Sequence, residues 1–218
     1  KFEPKEFERI KAEALTQLRQ QESNPDFALQ KMAMESVFKG MDYAKMPNGT
    51  IEAIEKLTPA ATKAYLDQTL TRSRIFFVVV GDLAKEDLQK KMTALIQQIP
   101  QGKPFVLKRE TFVPKENTFI PQEKEVATNY IMGVSGAPAA NSKEYYPALL
   151  ASRMFYNKAF LEVRTNNGLS YAPSAGINTG LTPYSMMYVT TKDPDKYIAV
   201  ARNMVDKIKK EGFPEDDV

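Results

Sequence analysis

Apolar residues recur at helical spacing from the start of the chain. Phe7, Ile10, Ala14, Leu15 and Leu18 predict a helix over 5–21, with Pro4 at its first turn. Ser23-Asn24-Pro25-Asp26 interrupts that pattern, and Phe27, Ala28, Met32, Val37 and Phe38 predict a second helix. Residues 41–50, with Pro47 and Asn48-Gly49, read as a loop, and 50–54 as the beginning of a short helix. Thr58 is placed to cap the next helix, with Pro59 in its first turn. The pattern then changes. Ile75-Phe76-Phe77-Val78-Val79-Val80 is continuously apolar and ends at Gly81-Asp82, which predicts a strand covered on both faces or nearly so. An amphipathic helix is predicted over 85–99, carrying Leu88, Met92, Leu95, Ile96 and Ile99.

Periodicity is lost over 100–124, where Pro100, Pro104, Pro114 and Pro121 are spaced among charges. This is the best linker candidate, extended and fairly stiff. A strand is predicted over 126–134 and a long helix from Lys143, through Tyr146, Leu149, Leu150, Met154, Phe155 and Phe160, to a stop at Asn166-Asn167-Gly168. Leu169, Tyr171, Ala175 and Ile177 predict a strand directly after it. Another strand follows over 184–190, and Asp193-Pro194 opens the last helix. Residues 76–100 and 185–214 both read strand, turn, amphipathic helix, proline. This echo on either side of the linker fits two related α+β domains, 1–100 and 126–218, joined by 101–125.

Composition narrows the chemistry. The 218 residues include no cysteine and no histidine, which removes disulfides, thiolate chemistry, histidine-assisted nucleophiles and imidazole metal ligands. With 30 basic and 27 acidic residues the net charge is +3, which does not suggest a dedicated nucleic-acid binder; the densest basic cluster, Lys207, Lys209 and Lys210, falls at a helix C-terminus, where the dipole favours it. Gly81-Asp82 between a strand and a helix lacks the glycine pattern of a nucleotide-binding turn and reads as a turn and helix start. No run approaches the length of a membrane span. Lys1-Phe2-Glu3-Pro4 and Gly212-Phe213-Pro214 read as interior parts of a larger protein.

The stretch that carries chemistry is 161–176. Arg164 falls on the last turn of a helix and Tyr171 on the predicted strand seven residues later, so a tight reversal can aim both side chains into one space. The plain alternative is a capped helix, with Arg164 near the negative end of its dipole and Tyr171 half in the core. An Arg, a short polar turn, Gly168-Leu169 and a Tyr seven residues after the Arg resemble the signature near the C-terminal end of pitrilysin/insulinase-type zinc peptidases. The order of features over 49–100, with Gly49-Thr50-Ile51-Glu52-Ala53-Ile54 and Val78-Val79-Val80-Gly81-Asp82, and the Pro-rich linker extend that resemblance over nearly the whole chain.

The resemblance implies an α+β fold of two related lobes, each a mixed or antiparallel sheet with helices packed on one face, joined by an extended linker. It implies that Arg164 binds a peptide carbonyl of the substrate and that Tyr171 donates a hydrogen bond toward the scissile carbonyl oxygen. The family's zinc is held by an inverted His-x-x-Glu-His motif and a downstream Glu. The first would precede Lys1. The second falls within 5–21, where Gln17 is the best match and Glu13 lies one turn earlier. An uncharged amide is a poorer zinc ligand than a carboxylate. The expectation is therefore a chain without metal or other cofactor of its own, partnered by a zinc-bearing half or subunit and acting on peptide. A non-catalytic structural or peptide-binding subunit of the same fold is the alternative.

Overall fold

The computed structural model describes residues 3–107 and 110–214. Among these it has seven α-helices and one three-stranded sheet. The helices are α1 (Pro4–Glu22), α2 (Pro25–Val37), α3 (Ile51–Glu55), α4 (Pro59–Thr69), α5 (Lys85–Gln97), α6 (Tyr145–Ala159) and α7 (Pro194–Glu211). The strands are β1 (Asn129–Gly136), β2 (Ser174–Asn178) and β3 (Tyr184–Thr191). The fold is thus α+β. Contacts group the described residues into two compact units, one from Lys1–Leu18 and Thr50–Lys108, the other from Arg19–Gly49 and Arg109–Val218.

Side-chain caps start several helices, Thr58 among them as the sequence predicts. Asn24 Oδ1 accepts from the backbone N–H of Asp26 at 2.8 Å, ahead of Pro25 in the first turn of α2. Thr58 Oγ1 accepts from Ala61 N at 3.2 Å, and Asp193 Oδ1 from Lys196 N at 3.1 Å. Each cap satisfies an N–H that the helix itself leaves unpaired.

In the first unit, Lys11 on α1 donates to the carbonyls of Glu55 and Leu57 at 2.8 and 3.0 Å, closing the end of α3. Residues 72–74 form a 3-10 turn held to the segment after Pro100. Arg72 N donates to the Pro100 carbonyl at 2.9 Å and Ser73 Oγ to the Lys103 carbonyl at 2.6 Å. The strand predicted for 75–80 is not formed. The run has no regular secondary structure, no strand among the described residues pairs with it, and Phe76 and Val80 are 84% and 93% exposed. An apolar β-former becomes a strand only when a neighbour takes up its backbone donors and acceptors. The first half of the internal echo therefore has its helix, α5, without its strand.

The second unit is built on the sheet, with strand order β1-β3-β2 and both pairs antiparallel. Alternation along β3 sends successive residues to opposite faces. Tyr184 and Met186 join Met34 of α2 and Phe38 at its C-cap, together with Phe112 and Val134. Phe38 is fully buried, with the rings of Phe112, Tyr184 and Tyr43 at 4.7, 5.3 and 5.7 Å. On the other face Val189 packs with Val163, Tyr197 of α7, Ile131 and Leu169. Helices thus cover both faces of this sheet, not one as the sequence reading has it, because its strands carry apolar residues of both parities. Gly136 ends β1 against the Phe112 backbone, where a Cβ would stand 2.8 Å from the carbonyl oxygen.

Candidate functional site

The helix that carries Arg164 does not end as an α-helix. After Ala159 it widens into a π-helical segment, Phe160–Asn166. Segments of this kind are rare and recur at functional sites. Three backbone donors close it. The N–H groups of Asn167 and Gly168 both reach the Arg164 carbonyl, the latter at 3.1 Å, and Leu169 N reaches the Val163 carbonyl at 2.9 Å. Asn167 Nδ2 adds a bond to the Glu162 carbonyl at 2.9 Å. Gly168 has φ +59°, the left-handed conformation that the Asn-Asn-Gly sequence supplies at least cost.

This ending displaces the strand predicted after it. Leu169 spends its N–H on the helix, and Pro173 has none to give, so β2 begins only at Ser174. Tyr171 therefore lies in the turn between helix and strand, not on the strand. Its side chain is 79% exposed, which also excludes a half-buried core role. The reversal does bring Arg164 and Tyr171 together. The guanidinium carbon of Arg164 lies 4.0 Å from the Tyr171 ring centroid and 4.9 Å from that of Phe160. Among the described residues no carboxylate pairs with this guanidinium, so its N–H groups keep their donor capacity. Arg153 over Tyr156, at 5.4 Å, continues the row of cations and rings along α6.

A cavity of about 490 Å³ opens between α6 and the sheet. Its walls are mostly small: Gly133, Gly136, Ala148, Ala151, Ala175 and Gly176 stand where larger residues would fill it. Neither Arg164 nor Tyr171 lines it, and it has no ionisable side chain, so it can admit apolar groups but supplies no acid, base or charge. Sequence reading missed it because small residues on a strand and a helix announce nothing until the two elements are packed.

The residues considered as a metal ligand both lie on α1. Glu13 is engaged by Arg9, whose guanidinium donates to it at 2.5 Å, and Gln17 is an exposed amide on the same helix. No group of three or more carboxylates among the described residues is arranged to hold an ion. No helix among them is long and apolar enough to cross a membrane.

Comparison with known proteins agrees with the fold. The chain is 22% identical over its whole length to a Helicobacter pylori protein described as a non-peptidase homolog, YmxG, of which it covers 52%. Its structure superimposes on a peptidase M16 inactive domain from Pseudomonas fluorescens with a TM-score of 0.91 at 19% identity, covering 99% of this chain and 54% of that one. A protease from Helicobacter pylori matches with a TM-score of 0.83 at 14% identity, over 100% of this chain and 56% of that one. The chain thus spans about half the length of the relatives it matches. Residues 56–218 match the model of the Peptidase M16 inactive domain, and the chain belongs to that family.

Proposed function

We propose that this chain is the metal-free half of a pitrilysin/insulinase-type zinc peptidase, binding and orienting peptide for hydrolysis by a zinc-bearing partner half. The carrying observation is the contact between Arg164 and the exposed Tyr171 across one reversal, with no carboxylate among the described residues paired to the guanidinium. Arg164 binds a carbonyl of an extended peptide and fixes its register. The Tyr171 hydroxyl donates toward the oxygen on which charge builds. Zinc and the carboxylate that activates water belong to the partner half. Lobes over 1–100 and 126–218, with 101–125 as linker, are part of this proposal.

The second reading is a non-catalytic subunit of the same fold that binds peptide or only builds structure. The description of the Helicobacter relative as a non-peptidase homolog favours it. Titrating the full-length protein with an end-blocked, fluorescein-labelled extended peptide tests the first reading. Binding that weakens in Arg164→Ala supports it, and unchanged binding in that variant removes it. Turnover by the protein with its partner half then separates a peptidase from a binding subunit.

A further inference from the structure

We propose that Phe160 is a positioning residue for Arg164, so that the unit acting on ligand is a triad of Phe160, Arg164 and Tyr171 rather than a pair. The inference deepens the proposed function and rests on it for the identity of the ligand. Its basis is the geometry of the π-helical segment. The backbone of Arg164 is pinned, because its carbonyl accepts from both Asn167 and Gly168 while Leu169 N is tied to Val163. The side chain is only half-buried and still has several rotatable bonds, and such an arginine loses much rotamer freedom on binding unless something holds it first.

Two rings do the holding. Phe160, four residues earlier in the same segment, places its ring 4.9 Å from the guanidinium carbon, and Tyr171 places its ring at 4.0 Å. Contact with ring faces is attractive for a cation and leaves the in-plane N–H edges free for acceptors. A carboxylate in the same place would fix the side chain too, but would consume those donors. The two contacts differ in security. Tyr171 is largely exposed in a turn, whereas Phe160 is half-buried in a helical segment and also meets the Tyr156 ring at 6.3 Å. Phe160 is therefore the fixed wall, and Tyr171 is the wall free to meet a ligand.

The test uses the full-length protein, with the Arg164 side-chain Nε–H resonance as one readout and affinity for the end-blocked fluorescein peptide as the other. Phe160→Leu keeps an apolar side chain, so folding is preserved. It is expected to move the Arg164 resonance toward its value in unstructured peptide and to weaken peptide binding about two- to fivefold, the scale of one exposed cation–ring contact. Phe160→Tyr, which restores a ring, is expected to recover both. An unchanged Arg164 resonance and unchanged affinity in Phe160→Leu, while Arg164→Ala still weakens binding, overturns the positioning role and leaves the proposed function standing. A shifted resonance in Phe160→Leu with full peptide binding in Arg164→Ala supports the positioning role and overturns the proposed function.

Discussion

The hydroxyl of Tyr188, in the middle of β3, donates a hydrogen bond to the carboxylate of Asp26 in the first turn of α2. The two residues are 162 positions apart, and the bond ties the start of a helix to the sheet it covers. Burial raises the Tyr188 pKa above the usual tyrosine value, and the bond to Asp26 raises it further. Tyr197 and Tyr184 are raised in the same direction, chiefly by burial.

A raised tyrosine pKa means that the folded chain holds its proton where the unfolded chain has released it. The contribution to stability is fully present below the unfolded value, about 10, and is lost as pH rises from there through the folded-state value. Urea melts repeated from pH 8 to 11.5 are expected to show falling stability above about pH 10. Tyr188→Phe is expected to cost about 1 kcal/mol at neutral pH for the lost hydrogen bond. Its stability then falls less steeply in alkali than that of the parent. Parallel alkaline curves would show that Tyr188 is not among the groups responsible.

Phe38 anchors the aromatic cluster under α2. Phe38→Ala is expected to lower stability by about 3 to 5 kcal/mol, because it opens a ring-sized cavity among Tyr43, Phe112 and Tyr184. Phe38→Leu is expected to cost less, since it refills part of that volume. Denaturant melts of the two variants check the order. Equal and small losses would mean that the cluster is not a core.

Helix starts were legible because their signals are local. Asn24-Pro25, Thr58-Pro59 and Asp193-Pro194 each pair a side-chain acceptor with a residue that needs no N–H partner, within one turn of chain. The meeting of Arg164 and Tyr171 was legible for the same reason, since Asn166-Asn167-Gly168 marks the reversal between them. The π-helical segment was not, because i→i+5 bonding has no side-chain spacing of its own. Neither was Phe160, which falls in an ordinary apolar stripe. The two-sided helix cover depends on Phe38 finding Tyr184 and Asp26 finding Tyr188, pairings far beyond any sequence window. The run 75–80 has strand chemistry without a strand, since pairing is a property of two segments.

That run makes a separate prediction. Phe76, Val78 and Val80 are 84%, 77% and 93% exposed on a segment with no strand paired to it among the described residues. Contiguous apolar β-formers in this state are templates for association. Light scattering of the purified chain is expected to show self-association that increases with concentration. Phe76→Lys with Val80→Lys is expected to suppress it, while stability changes by no more than about 0.5 kcal/mol per site, since neither side chain is buried. A large drop in melting temperature would mean that these residues are covered in solution.

On the proposed function, Tyr171 and Arg164 should fail in different ways. Tyr171→Phe removes one hydroxyl from an exposed side chain and keeps the ring that contacts Arg164, so melting temperature is expected to stay within error. If the hydroxyl donates only as charge develops, turnover by the protein with its zinc-bearing partner falls roughly a hundred- to thousandfold, with little change in substrate affinity. Arg164→Ala removes a group that holds ground state and transition state alike, so it raises KM and weakens peptide binding more than it lowers kcat. It also removes the contacts to both rings, at a cost to stability of about 1 kcal/mol. A purely structural role for both residues predicts a different pattern: a lower melting temperature for Tyr171→Phe as well, and normal turnover by the fraction of either variant that remains folded. Steady-state kinetics and melts on the same preparations separate the two. Normal turnover in Tyr171→Phe would leave the exposed tyrosine as a wall for Arg164 and nothing more.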